Sequence, residues 1–436
     1  MGLYDLLAYS TGASARIGVL ALGAQRRHIA LRARSRPFAL RYSPVTADRV
    51  LTVNGGSSSV KFAIFERSEP PQRVLKGQVQ RIGQEGAMLS VSAQGQTTHQ
   101  AIQAADHRSA AQHLFDWIEQ TNGRAPLAGI GHRVVHGGLH INEHQIVTTE
   151  LVSELRKAQF LDLAHLPCEI ALMDAFGSRY PDVTQVACFD TVFHRDLPRL
   201  AQLLPIPRRY TAAGVRRLGF HGLSYTYLMR ELRRAAGPAA GGRVILAHLG
   251  SGSSMTAVRE GRPLDTTMGF TPAAGLMMGT RPGDLDPGLL IYLMRIEKMT
   301  PDQTDDFVSR CCGLAGVSET TSDIRDLSAR RATDTRAADA LDLFCYEAMK
   351  WMGSYIAVLG GLDTVVFSGG IGEHSREVRA AICGGLEFAG VRLSPELNDV
   401  SAPIISSADS AVTVRVMPTD EEHVMAEIVF GAIESG

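Results

Sequence analysis

The chain has 436 residues, 45% of them hydrophobic, and 44 basic residues almost balance 45 acidic ones for a formal net charge of -1. Such a length accommodates two or three domains of about 150 residues with ample material for their cores, and so even a charge excludes a global field for nucleic acid or an anionic membrane. Any anion site must be local. No apolar run reaches the roughly 18 residues that cross a bilayer, and the six cysteines (Cys168, Cys188, Cys311, Cys312, Cys345 and Cys383) show no Cys-x-x-Cys spacing, so they read as reduced thiols of a cytoplasmic protein.

Residues 1–47 carry seven arginines and one acid, Asp5. That composition is transit-peptide-like, and the segment is expected to be a poorly ordered extension ahead of a fold that begins near Arg49. From Val50 to Phe65 the sequence V-L-T-V-N-G-G-S-S-S-V-K-F-A-I-F joins two apolar, β-branched runs through Asn-Gly-Gly and three serines. This is a hairpin pattern. Its small-residue turn offers backbone N–H groups and hydroxyls to an anion, and Lys61, on the face opposite Val60, Phe62 and Ile64, can add a point charge. It is not the Walker pattern, which needs Gly-Lys-Ser/Thr and a following helix. Strands continue to about Ser92, a polar stretch follows, and a helix is expected near Ala110–Glu119.

Gly129–His136, G-I-G-H-R-V-V-H, reads as a buried strand with Arg133 and His136 near its end and Gly137-Gly138 as the turn. An arginine there serves either a buried ion pair or an oxyanion clamp. Cys188–His194, C-F-D-T-V-F-H, puts Asp190 and His194 at the end of another apolar segment, and Gly219–Ser224, G-F-H-G-L-S, presents His221 between glycines.

Arg243–Val258, R-V-I-L-A-H-L-G-S-G-S-S-M-T-A-V, repeats the order of Arg49–Ile64: Gly250 falls on Gly56, Ser251 on Ser57, Ser253 on Ser59 and His248 on Asn54. Matching hairpins imply a duplicated fold whose phosphate loops face each other across a cleft. Gly279-Thr280-Arg281-Pro282-Gly283 aims an arginine from a tight turn. The pattern is helical from Pro287 to about Arg310 and from Arg336 to Leu359, with Ser322–Asp326 between. A third glycine cluster, Val365–Glu373, follows an apolar strand and leads into a helix, and three such loops suit a nucleotide. Thr419-Asp420-Glu421-Glu422 opens the last helix, with threonine as N-cap and acids complementing the helix dipole.

V-N-G-G-S-S-S-V-K, G-H-R-V-V-H-G-G, F-D-T-x-F-H, G-F-H-G-x-S, M-G-T-R-P-G-D-L-D-P, S-G-G-I-G-E and T-D-E-E occur in this order. With them the chain resembles the acetate kinase family, including propionate and butyrate kinases, within the superfamily of actin and the sugar kinases, over roughly Arg49–Glu434. The resemblance implies an α/β fold of two duplicated actin-like (ribonuclease H-like) domains with a nucleotide cleft between them, one of residues 48–194 plus 420–436 and one of residues 195–419. It implies reversible, direct in-line transfer from ATP to acetate or another short-chain carboxylate, with Mg²⁺ or Mn²⁺, in a homodimer. Arg133 and Arg281 would hold the carboxylate and the phosphoryl in flight, His221 would donate to the transferring group, and Asp190 would orient or deprotonate the acid. Asn54 and Glu421 would position the metal, which replaces the helix-dipole role for Glu421. Lys61, the loop His248-Leu249-Gly250-Ser251-Gly252, Asp323-Ile324-Arg325 and Gly370-Ile371-Gly372-Glu373-His374 would form the ATP side. Val135, His165, Phe220 and Pro272, with Ala164, would form the acyl pocket.

Four segments depart from the family pattern: Ser251 replaces an asparagine in the phosphate loop, His374 ends the G-I-G-E-N loop, Tyr225 ends the F-H-G-x-S-H segment, and Leu163-Ala164 replaces Pro-Leu before His165-Leu166-Pro167. Two other readings compete. One makes His194, His221, His248 and Asp190 a hydrolytic metal centre; the other makes the chain a non-catalytic actin-like nucleotide switch, which would have no use for two arginines and His221.

Overall fold

The computed structural model describes residues 48–122 and 126–435, so the expectation for residues 1–47 lies outside it. Among the described residues, two sheets carry the fold. The first contains β1 (Arg49–Gly55), β2 (Ser59–Glu66), β3 (Gln72–Gln80), β4 (Met88–Ala93), β5 (Gln96–Ala101), β6 (Leu127–Val134), β7 (Gln145–Ile146) and β8 (Thr184–Phe189), in the order β5-β4-β3-β2-β1-β6-β8-β7. The second contains β9 (Arg243–Leu249), β10 (Ser253–Arg259), β11 (Arg262–Thr266), β12 (Thr364–Ser368) and β13 (Thr413–Val416), in the order β11-β10-β9-β12-β13.

The two orders are one topology. In the first sheet β3, β2 and β1 form an antiparallel meander, and β6 and β8 then add in parallel. In the second, β11, β10 and β9 form the meander, and β12 and β13 add in parallel. Each hairpin turns through three residues, 56–58 after β1 and 250–252 after β9. The carboxyl ends of β1, β6 and β8 therefore lie at one edge of the first sheet, and those of β9 and β12 at one edge of the second, where open α/β sheets gather ligands.

Both faces of β2 are covered, which is why its apolar residues do not simply alternate with polar ones. Val60, Phe62 and Ile64 join a core with Leu114, Phe115 and Phe176, while Ala63 and Phe65 face Val424, Met425 and Val429 of the C-terminal helix Glu421–Ser435. Close approach of that helix depends on the glycines of β6. An added Cβ at Gly129 would meet Val429 Cγ1 at 2.6 Å, and one at Gly131 would meet Val429 Cγ2 at 2.8 Å. The helix thus lies on the first sheet and brings Glu421 to the end of β1. The helix Gly222–Ala236 reaches both halves: Leu223 enters the cluster under the C-terminal helix, and Tyr225, Leu228 and Leu232 pack on Val244 and Leu246 of β9.

Three expectations about elements are corrected. The polar stretch after Ser92 contains β5, whose residues are exposed throughout; a strand with two wet faces has no hydrophobic period to read. The helical region Pro287–Arg310 is two helices, Pro287–Ile296 and Pro301–Arg310, because Thr300 and Gln303 form a capping box that starts a new helix with Pro301 in its first turn. The N-cap of the last helix is Asp420 rather than Thr419: its Oδ1 accepts from His423 N at 3.0 Å, while Thr419 Oγ1 meets Ser224 Oγ at 2.8 Å. All six cysteines are free thiols, and no helix among the described residues is long and apolar enough to cross a membrane.

Candidate active site

Arg133, near the end of β6, donates from Nε to Asp190 Oδ2 at 3.0 Å, and its Nη1 lies 3.6 Å from Glu169 Oε1. Burial alone would lower the guanidinium's pKa, but Asp190, Glu169 and Glu421 together hold it above the usual range. The three acids respond oppositely. Burial raises the pKa of each against the pull of Arg133, for Glu169 up to about 8. Asn54 Nδ2 donates to Glu421 Oε2 at 3.3 Å, which joins the end of β1 to the first turn of the last helix. Asp190 Oδ1 is buried without a protein partner. Lys61 pairs across the hairpin with Asn54 and stands within electrostatic reach of Glu421 and His248.

Across the cleft His221 occupies the N-cap of the helix Gly222–Ala236 in the left-handed region, φ 59°, and its ring stacks on that of His248 with centroids 4.3 Å apart. Burial lowers both imidazole pKa values, that of His248 to about 4, so both rings are neutral at physiological pH. His221 Nδ1 lies 2.8 Å from Ser254 Oγ, and His248 Nδ1 lies 2.8 Å from Ser224 Oγ. Their Nδ1 atoms are occupied. Gly252 shows where His221 Nε2 points: a Cβ added there would meet Arg281 Nη2 at 2.7 Å and His221 Nε2 at 3.3 Å. Two side-chain nitrogens converge on that spot, and only glycine leaves it clear. Arg281 Nη1 donates to Pro272 O at 2.7 Å, and burial lowers the guanidinium's pKa to about 10.

The glycine segments meet on one side of this point. Gly279 N donates to Ser251 O at 3.0 Å, a Cβ at Gly279 would lie 3.4 Å from Ser322 Cβ, and one at Gly369 would strike Leu249 O at 2.6 Å. Residues 249–252, 279, 322 and 369–370 therefore form one floor. Gly370 and His374 are exposed there, whereas the side chains of Leu249 and Ile324 turn into the core. Asp323 caps the helix Ile324–Arg330 by accepting from Arg325 N at 2.9 Å and also from Arg325 Nε at 3.0 Å. Glu373 is engaged within the fold, its Oε1 accepting from Gly369 N at 2.9 Å and Thr419 N at 3.3 Å, and so ties Gly369–His374 to the segment leading to Glu421. Ile371 and Gly372 lie in the same turn.

On the other side a cavity of about 350 Å³ is lined by Ser57, Ala164, His165, Ser251, Pro272 and Arg281, so both hairpin turns border it. His165 Nδ1 is 3.0 Å from Asp162 Oδ1. Val135 and Phe220 are buried in the apolar cluster with Leu166 and Met268. His194, a ligand in the metal-centre reading, has both ring nitrogens buried without partners and packs on Tyr225 with centroids 5.6 Å apart. Among the described residues no three His, Cys, Asp or Glu side chains form a metal-binding group, so that reading has no geometric support.

Sequence reasoning missed Glu169, Ser224 and Ser254. Glu169 Oε2 accepts from Val135 N at 2.9 Å, and the signal for it was an acid between Cys168 and the apolar run Ile170–Met173 at the start of a helix.

The acetokinase family model matches residues 49–427. An acetate kinase of Rhodopseudomonas palustris is 41% identical over 398 residues, 89% of this chain and 100% of that protein. A propionate kinase of Citrobacter rodentium is 40% identical over 388 residues, 87% of this chain and 96% of that protein. The crystal structure of Porphyromonas gingivalis acetate kinase superposes with a TM-score of 0.78 at 31% identity, covering 88% of this chain and 99% of that one. Motif order, duplicated topology and full-length similarity agree, and the chain belongs to the acetokinase family of ATP-dependent carboxylate kinases.

Proposed function

We propose that the cleft between the two hairpin turns moves the terminal phosphoryl group of ATP directly and reversibly onto acetate or a neighbouring short-chain acid such as propionate or butyrate. A carboxylate oxygen attacks phosphorus, the bond to the ADP oxygen breaks, and acyl phosphate leaves. The observation that carries this reading is the convergence of Arg281 Nη2 and His221 Nε2 over Gly252, beside a small cavity reached by both turns. Phosphoryl transfer needs charge neutralised on the equatorial oxygens and a nucleophile held in line. Arg281 and neutral His221 supply donors to those oxygens. Arg133, fixed by Asp190, faces the incoming carboxylate; Asp190 acts by orienting Arg133, with which it already pairs.

The donor set fits a hard divalent cation: Glu421, Asn54 and the unpartnered Asp190 Oδ1 are all oxygen ligands at one strand edge. Those residues would hold Mg²⁺ or Mn²⁺, which would offset the charge of the ATP phosphates. The nucleotide lies over the floor of residues 249–252, 279, 322 and 369–370. We assign residues 48–194 with 420–436 to one actin-like domain and residues 195–419 to the other.

A homodimer is supported by the helix Pro287–Ile296, which buries none of its residues and exposes Leu289, Ile291, Tyr292 and Ile296. Its mass in solution tests this, a monomer at micromolar concentration counting against it. The function itself is tested by acyl phosphate formation from ATP with formate, acetate, propionate and butyrate. No product with any of the four would retire the reading.

A further inference from the structure

The sequence F-H-G-L-S-Y puts Tyr225 one helical turn beyond His221, and Tyr225 N donates to His221 O at 3.0 Å. The tyrosine side chain is fully buried, and its hydroxyl bonds Ser254 Oγ. Ser254, on β10 opposite His248, is the residue whose Oγ lies 2.8 Å from His221 Nδ1. Tyr225, Ser254 and His221 thus form a chain of three groups that leaves the helix, touches the strand and returns. Accepting the reading of the site given above, we propose that Tyr225 is a positioning residue that sets, through Ser254, which ring nitrogen of His221 carries the proton facing the transferring phosphoryl group.

The direction of the chain follows from the donors available. Burial raises the phenol's pKa, so Tyr225 keeps its proton at any physiological pH, and a phenol, being more acidic than an aliphatic hydroxyl, is the better donor of the pair Tyr225 Oη and Ser254 Oγ. The phenol proton is therefore directed to Ser254 Oγ. A serine hydroxyl that accepts from one side has its own proton to give to the other, and here the other side is His221 Nδ1. An Nδ1 that accepts leaves the single proton of the neutral ring on Nε2, the atom that points with Arg281 Nη2 into the space over Gly252. In that tautomer His221 adds a second donor beside Arg281. In the other it would turn a lone pair toward phosphoryl oxygens. Because the buried ring is neutral, its charge cannot compensate, and the tautomer alone decides whether it attracts or repels.

Phenylalanine at position 225 removes the proton that starts the chain and leaves the ring's packing in place. Ser254 can then either donate to Nδ1 or accept from it, and His221 samples both tautomers. Losing an oriented donor outright costs about 10²–10³ in rate, so partial loss should cost roughly tenfold. The test uses the full chain labelled with ¹⁵N-histidine, with His221 assigned from the resonances missing in His221→Asn, together with kinetics on acetate. The native protein should show His221 as the Nε2–H tautomer. Tyr225→Phe should show a mixture, with kcat down by about tenfold and KM for ATP and acetate within about twofold; a general loosening of the fold would raise KM and leave the tautomer alone. Ser254→Ala, which removes the middle group, should give the same spectrum and decides the matter if Tyr225→Phe does not fold. An Nδ1–H tautomer in the native chain, or an unchanged tautomer in the variants whatever their kcat, would overturn the relay. A native chain inactive on every acid would overturn the kinase reading instead, and the native spectrum would still decide the relay.

Discussion

The hairpins β1–β2 and β9–β10 share a backbone plan, each turning through three small residues beside a parallel strand, yet the residues at their ends are chemically opposed. At the first, Asn54 faces Lys61 across the ladder and leads to Glu421, Arg133, Asp190 and Glu169. At the second, His248 faces Ser254 and leads to His221 and Arg281. One half of the cleft gathers buried acids around a single arginine. The other gathers neutral imidazoles and hydroxyls around another. The two halves share a turn plan and diverge at the paired positions, and in the proposed function that divergence would assign the cation and the acid to one half and the phosphoryl oxygens to the other.

The strongest way to break this comparison is to delete the arginine of each half. Arg281→Ala and Arg133→Ala should each lower kcat by about two to four powers of ten with little change in KM for ATP, since in the proposed function both would meet charge that develops during transfer. Their stabilities should differ. Arg281 forms no ion pair among the described residues, and its loss should leave Tm almost unchanged, whereas removing Arg133 strands the fully buried Asp190 carboxylate and should cost about 3–5 kcal/mol. Equal thermal stability of the two variants would mean the halves are not chemically distinct, and retained turnover in both would exclude transfer at this cleft.

How much of this was legible before the fold was known depended on range. Both hairpins and the glycine turn before Gly369–His374 were readable because turn chemistry is local, and matching their order revealed the duplication. Arg133 and Arg281 stood out as charges set against apolar strands or glycine turns. What stayed hidden involved partners far apart in sequence or signals that read equally well as ordinary structure. Asn54 meets Glu421 across 367 positions, and nothing local to T-D-E-E distinguishes a metal ligand from a helix-dipole acid. Ser254 reads as strand until His221 is folded against it. Glu169, in the first turn of the helix Leu166–Arg179, looks like a dipole-complementing acid until its burial is seen.

A smaller effect sharpens the acidic half. Glu421→Gln keeps an oxygen and the contact to Asn54 but removes a charge, so the Mg²⁺ concentration for half-maximal rate should rise by about tenfold while Tm changes little. An unaltered metal requirement would move the cation away from the end of β1. The same half carries a pH signature. The native Glu169 carboxyl holds its proton up to about pH 8, whereas the unfolded chain releases it near the ordinary value of 4.5. The folded pKa is raised, so the associated stability is present in full below the unfolded value and is lost as pH rises toward 8. Glu169→Gln retains an acceptor for Val135 N and should flatten the fall of Tm between pH 5 and 8, standing above the native protein by about 2–4 °C at pH 8. Parallel Tm curves would show that Glu169 is ionised throughout.

The smallest effect concerns the acid itself, at the seam between the halves. Ala164 lines the 350 Å³ cavity with His165 from one half and Pro272 and Arg281 from the other, and it stands where the family pattern noted above has leucine. The Ala164 backbone is fixed, its N–H donating to Asp162 Oδ1 at 3.1 Å, so a longer side chain there cannot escape by a shift of the turn. Alanine in place of leucine vacates the volume of three carbons, and each substrate methylene buried in that space is worth about 0.8 kcal/mol. The native enzyme should therefore favour propionate or butyrate over acetate by several-fold in kcat/KM, and Ala164→Leu should shift the ranking toward acetate by a similar factor without altering KM for ATP. Leu161 and Leu163 border the same cavity and are the residues that could fill the vacancy instead. A native preference for acetate that Ala164→Leu leaves unchanged would show that they do, and that the seam is closed from the strand-turn side before the acid arrives.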